Sequence, residues 1–90
     1  MAAIANLTRT ELNAKNEAWG KDFVREQCRS FSDLELRRKV FWAEKRASNP
    51  EGLAEDIKFS ALNFGQKSPH RIELETMREY LENRDTLVTI

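Results

Sequence analysis

Ninety residues, 40% hydrophobic and 33% charged, describe one globular domain rather than a disordered tail. Fifteen basic and fifteen acidic residues cancel to a formal net charge of zero, which counts against a phosphate-gripping basic protein and against an acidic nucleic-acid mimic. The single cysteine, Cys28, has no partner for an internal disulfide, no apolar run is long enough to span a bilayer, and Met1 to Asn6 lacks the features of a signal peptide, so a cytoplasmic setting without membrane contact is expected.

Two complete start signals place the first two helices. Thr8 and Glu11 form an S/T-x-x-E capping box, in which each side chain satisfies an amide of the other residue, and Leu7 and Leu12 stand at the flanking staple positions. The spacing predicts a helix over about 9–29, after an N-terminal arm of residues 1–7. Its apolar residues Leu12, Trp19, Phe23, Val24 and Cys28 cover a broad arc expected to face inward. Gly20 falls inside that arc, where glycine costs about 1 kcal/mol against alanine, so close approach of another helix is expected there. Ser32 with Glu35 repeats the box and Phe31 with Leu36 repeats the staple, predicting a second helix over 33–48 after a sharp turn.

Asn49-Pro50 is a cap followed by a proline suited to the first helical position, and it predicts a third helix over 50–64. Leu53, Ala54, Ile57, Ala61 and Phe64 share its expected inner face, Phe59 and Leu62 lie off that face, and Gly65 is the expected C′ stop. Ser68-Pro69 repeats the cap-then-proline start and predicts a fourth helix over 69–83. Leu74, Met77 and Leu81 are expected inward, Glu75, Glu79 and Glu82 outward, with Arg78 in reach of Glu75 and Glu82. The tail of residues 85–90 ends in the β-prone run Leu87-Val88-Thr89-Ile90 and is expected to be frayed or docked. The whole reads as an all-α fold, a compact bundle of four helices with short loops in a single domain of residues 1–90.

Catalytic chemistry finds little material. His70, the one histidine, lies in the first turn of the fourth helix, and no Cys, Asp or Glu stands at metal-ligand spacing from it. Cys28 falls on the inner arc with no local sign of an activating base. Gly20, Gly52 and Gly65 are isolated, so no phosphate-binding loop can be built. Glu75, Glu79 and Glu82 recur at helical spacing, as a solvated face or an acidic contact surface would. The second and third helices have helix-turn-helix spacing. Glu51, Glu55 and Asp56 would nevertheless aim carboxylates at phosphates, and Glu44 fills the position that needs a small residue. A protein without enzymatic activity, cofactor or metal is expected.

The segment 33–48 carries two apolar faces. Leu36, Val40, Ala43 and Ala47 form one stripe; Leu34 and Phe41 fall nearly opposite, with Trp42 beside them and Arg37, Arg38 and Lys45 around them. Residues 32–49 hold five Lys/Arg against three Asp/Glu, and residues 72–90 hold two against five. The helix therefore sits in the middle of the fold, with Phe41 and Leu34 packed under the first and fourth helices, or it presents an aromatic and basic surface. On the second reading Arg37, Arg38, Phe41, Trp42 and Lys45 bind another protein with an acidic surface. The chain is then a steric inhibitor, adaptor or regulator of a larger cytoplasmic protein, of the kind phages encode against host systems. The alternative is a homodimer in which the basic second helix meets the acidic fourth helix of another copy, with Phe59, Leu62, Glu75, Glu79 and Glu82 as a second contact surface. Nucleic-acid binding by the basic-aromatic patch ranks third, because the net charge is zero.

Overall fold

The computed structural model describes residues 7–89, with side chains described as far as Arg84. Met1 to Asn6, most of the expected N-terminal arm, and Ile90 lie outside the described residues. Each helix begins where a side-chain oxygen satisfies one of its free amides. Thr8 Oγ1 accepts from the Glu11 amide at 3.1 Å and opens α1, Arg9–Cys28. Ser32 Oγ accepts from the Glu35 amide at 3.2 Å and opens α2, Asp33–Ser48. Asn49 Oδ1 accepts from the Glu51 amide at 2.9 Å, and Pro50 is the first residue of α3, Pro50–Leu62. Ser68 Oγ accepts from the Arg71 amide at 3.2 Å at the start of α4, Pro69–Thr89. The chain is thus an all-α bundle of four helices.

Two helix ends differ from expectation. The tail is not a separate segment: α4 continues through residues 85–89. Val and Thr are poorer helix formers than leucine by only a few tenths of a kcal/mol, and extending an established helix avoids the cost of a new nucleus. At the other, α3 stops at Leu62 and Asn63 caps it. Phe64, not Gly65, takes the left-handed C′ position, with φ 55°, and Gly65 follows at φ 86°. The Gly65 amide donates to the Ser60 carbonyl at 2.8 Å, which closes a Schellman motif one residue earlier than the glycine suggests.

The middle of the bundle is α4. It packs on α1 along one side and on α2 along the other, while α3 packs on α2. Val24 and Cys28 of α1, Leu36 and Val40 of α2, and Leu74 and Met77 of α4 form one buried cluster, with Phe31, Ala43, Ala47, Tyr80 and Leu81 against it. The inner stripe of α2 is therefore the one its periodicity indicates. Gly20 also behaves as expected, since a Cβ there would meet Ile72 Cγ2 of α4 at 3.4 Å. Arg84 ties the far end of α4 to the α1–α2 corner: its guanidinium donates to the Cys28 and Phe31 carbonyls at 3.1 Å each and to Asp33 Oδ1 at 2.7 Å.

The outward faces hold two corrections. Trp19 and Phe23 are exposed, although they belong to the apolar arc of α1. The α3 helix is turned about a third of a revolution from its expected setting: Leu53, Ala54, Ile57 and Ala61 face solvent, and so does Phe64 beyond its end, while Gly52 is buried and Asp56, Phe59, Ser60 and Asn63 are half-buried. Polar bonds and a close backbone approach set this rotation. Arg46 Nη1 donates to Asp56 Oδ1 at 3.3 Å, and the Ser68 hydroxyl donates to the same oxygen at 2.6 Å. Gly52 lies so near the end of α2 that a Cβ would stand 2.0 Å from the Arg46 carbonyl oxygen. Turning the leucine and isoleucine inward would break the bonds to Asp56 and drive side chains into that backbone.

Candidate functional site

Although α2 packs against both α4 and α3, neither helix covers its second apolar face, which is left at the surface. Phe41 is 50% exposed and Trp42 65% exposed, and Leu34 is exposed about two turns earlier. The two aromatic rings meet edge to face, with centroids 5.3 Å apart and planes at 80°. The Lys45 ammonium stands 5.0 Å above the Phe41 ring. Such contacts restrict the side chains before any partner arrives, which lowers the entropy lost on binding. Arg37 and Arg38 are also exposed, so the five residues selected from sequence share one accessible face of α2. Among the described residues Arg38 makes no ion pair.

The charges beside this face are arranged differently. Arg46 turns away onto α3, where Nη2 donates to Glu55 Oε2 at 2.9 Å and Nη1 to Asp56. Partial burial alone would push the Asp56 carboxyl up, but the Ser68 hydroxyl and the Arg46 guanidinium outweigh it and hold it below the usual range. Glu44, about one turn before the end of α2, pairs with Arg78 Nε at 3.2 Å, so Arg78 reaches across to the neighbouring helix. A shallow cleft of about 290 Å³ runs from Trp42 past Ala43 and Asp56 to His70.

The residues expected as a second contact surface are divided between α3 and α4. Phe59 is half-buried in a groove of about 460 Å³ between α1 and α3, opposite Trp19 and Phe23, with Ile72 of α4 among its lining residues. Leu62 is exposed one turn further along α3. Glu75 and Glu79 belong to an ion-pair ladder on the seam of α1 and α4. Lys67 bridges Glu75 and Glu17 at 3.0 Å each, and Glu79 receives Lys21 at 4.0 Å and Arg25 at 3.7 Å. The two glutamates between them hold Lys67's amine above its usual pKa (Glu17 foremost), so the seam's carboxylates are already engaged within the molecule. Glu82 is exposed on the outer side of α4.

Cys28 and His70, the one cysteine and the one histidine, are not brought together. Cys28 is fully buried, and burial pushes its thiol pKa up despite the nearby Arg84. His70 is exposed in the first turn of α4, whereas Arg84, which touches the Cys28 carbonyl, lies about 20 Å further along the same helix. Among the described residues no group of His, Cys, Asp or Glu is placed to hold a metal ion. None of the described helices is long and apolar enough to cross a membrane.

Sequence reasoning missed Trp19 and Phe23 as surface residues. At about 100° per residue they lie roughly 100–180° around α1 from Val24 and Cys28, so the angular spread of that apolar arc was the signal that could have separated them. Comparison with known protein families, characterised proteins and solved structures finds no match. The class the fold defines is that of small four-helix bundles, and function must be argued from surfaces.

Proposed function

We propose that the chain is a small protein-binding module without catalytic activity. It acts by covering a surface of a larger protein as a steric inhibitor, adaptor or regulator, in the manner of phage-encoded inhibitors of host systems. The observation that carries this reading is the exposure of Phe41 and Trp42 on a helix whose opposite stripe is buried. A folded domain has no packing reason to place two adjacent aromatic residues on its surface. Aromatic and Arg residues are also the side chains that interface hot spots favour. Phe41 and Trp42 fill pockets of the partner, and Arg37, Arg38 and Lys45 orient it through an acidic surface and speed its approach. The buried, reduced Cys28 suits a cytoplasmic partner.

The test is capture from native lysate with tagged wild type and with Phe41→Ala/Trp42→Ala, each with and without nuclease. The expected result is one protein recovered near stoichiometry by wild type in both arms and lost with the double variant. Both sites being half or more exposed, each substitution should lower stability by less than about 1 kcal/mol, which thermal melting checks. Recovery that survives the double substitution, or that vanishes with nuclease, refutes the proposal; the latter transfers the patch to nucleic acid.

A further inference from the structure

A different face of the molecule carries a second group of exposed aromatic side chains. The groove between α1 and α3 is floored by Gly20 and Ile72 and walled by Phe23 and Phe59. Trp19 stands on its rim, 73% exposed, stacked on Phe23 with centroids 6.0 Å apart and planes at 20°. Phe23 is 56% exposed. The exposed parts of Trp19, Phe23 and Phe59 amount to roughly 350 Å², within the range of the largest apolar patch on a soluble monomer. Each partner in a standard interface gives about 800 Å², a little over half of it apolar, so this one face supplies most of the apolar share of a stable dimer.

Shape and charge both favour a second copy over an unlike partner. A protruding indole and an open groove lie side by side, so a two-fold axis seats each Trp19 against the other copy's groove, as an isologous contact requires. The flanking ions are mostly spent internally: Lys67 on Glu17 and Glu75, Lys21 on Glu17 and Glu79, Arg25 on Asp22 and Glu79. Two flanking charges make no ion pair among the described residues, Lys15, one turn before Trp19, and Glu73, on the groove lining. They are equal and opposite, and the whole chain has zero net charge, so two identical copies approach without repulsion. We infer that this chain forms a symmetric homodimer through the Trp19–Phe23–Phe59 groove, leaving the α2 face free. The inference stands independently of the α2 reading.

The experiment is sedimentation equilibrium of the full chain over a wide concentration range, with circular dichroism on every variant. Wild type should show a mass rising from one chain to two. Trp19→Ala/Phe23→Ala should keep its helical spectrum and weaken association at least ~30-fold, as loss of a hot spot does. Phe41→Ala/Trp42→Ala should dimerise like wild type. In a Trp42→Phe chain, where Trp19 is the one remaining indole, emission should shift to the blue as dimer forms. Three results overturn the inference: one-chain mass at every concentration, association unchanged in Trp19→Ala/Phe23→Ala, or association abolished by the α2 double variant instead.

Discussion

Two glycines in helices make opposite predictions from one substitution. In a helix, alanine is more favourable than glycine by about 1 kcal/mol, so local propensity alone expects Gly20→Ala and Gly52→Ala both to stabilise. At Gly20 the new methyl would sit 3.4 Å from Ile72 Cγ2 and 3.7 Å from Cδ1, near ordinary contact with a side chain that can adjust. Gly20→Ala should therefore gain up to about 1 kcal/mol. At Gly52 the methyl would stand 2.0 Å from the Arg46 carbonyl oxygen and 3.0 Å from its carbon. That backbone cannot yield freely, because the Asn49 amide bonds the same carbonyl at 3.2 Å and the Arg46 side chain holds Asp56. Separating α2 from α3 by more than about 1 Å is the alternative, and overpacking of this kind costs about 1–3 kcal/mol. Gly52→Ala should lower stability by about 2 kcal/mol, which for a chain of this size is a fall of roughly 10 °C in Tm. Urea unfolding followed by far-UV circular dichroism measures both. A Gly52→Ala midpoint at or above that of wild type would refute the close α2–α3 approach and the rotation of α3 that follows from it.

Three further outcomes are expected. Asp56 titrates below its unfolded value, so its contribution is full above the ordinary carboxylate range and is lost as pH falls through the lowered folded pKa. Asp56→Asn should be less stable than wild type at pH 7, with the gap closing toward strong acid; a gap that persists there sinks the ionic account. Phe64 pays for its left-handed backbone, at about 1–2 kcal/mol for a non-glycine residue, and recovers part of this from the Arg9 guanidinium 4.4 Å over its ring. Phe64→Gly should raise the urea midpoint slightly, and a fall of more than about 1 kcal/mol would show that the Arg9 contact dominates. Cys28, buried and with its thiol pKa raised, should react with a disulfide reagent in native buffer only as fast as the domain opens, accelerating with urea; labelling at the rate of a free thiol contradicts its place in the core.

Local signals were legible and their tertiary targets were not. Thr8, Ser32, Asn49 and Ser68 each cap the helix their spacing announces, because capping is decided within four residues. The stripe Leu36-Val40 is buried as read. The errors fall where a periodic face has no local clue to what it meets. Leu53 and Ile57 form a well-spaced stripe, yet Arg46 and Ser68, respectively ten residues before and twelve after Asp56, turn it to solvent. Trp19 and Phe23 were grouped with Val24 in one broad arc, but they stand about 100–140° around α1 from it and remain exposed. The α2 patch was visible as a second stripe. Its exposure depended on which sides of α2 the other helices cover, a question for all four together.

That α4 holds the centre also sets an order of events during synthesis. The partner surfaces of Val24, Cys28, Leu36 and Val40 lie on Leu74 and Met77, and the bonds from Arg84 to the Cys28 and Phe31 carbonyls span more than fifty residues. When α1 and α2 leave the ribosome, the helix that buries their inner faces has not yet been made. Those faces stay open to water, chaperones or a neighbouring nascent chain until α4 emerges. Folding therefore waits for the fourth helix, and any truncation that removes α4 should release two amphipathic helices rather than a smaller domain.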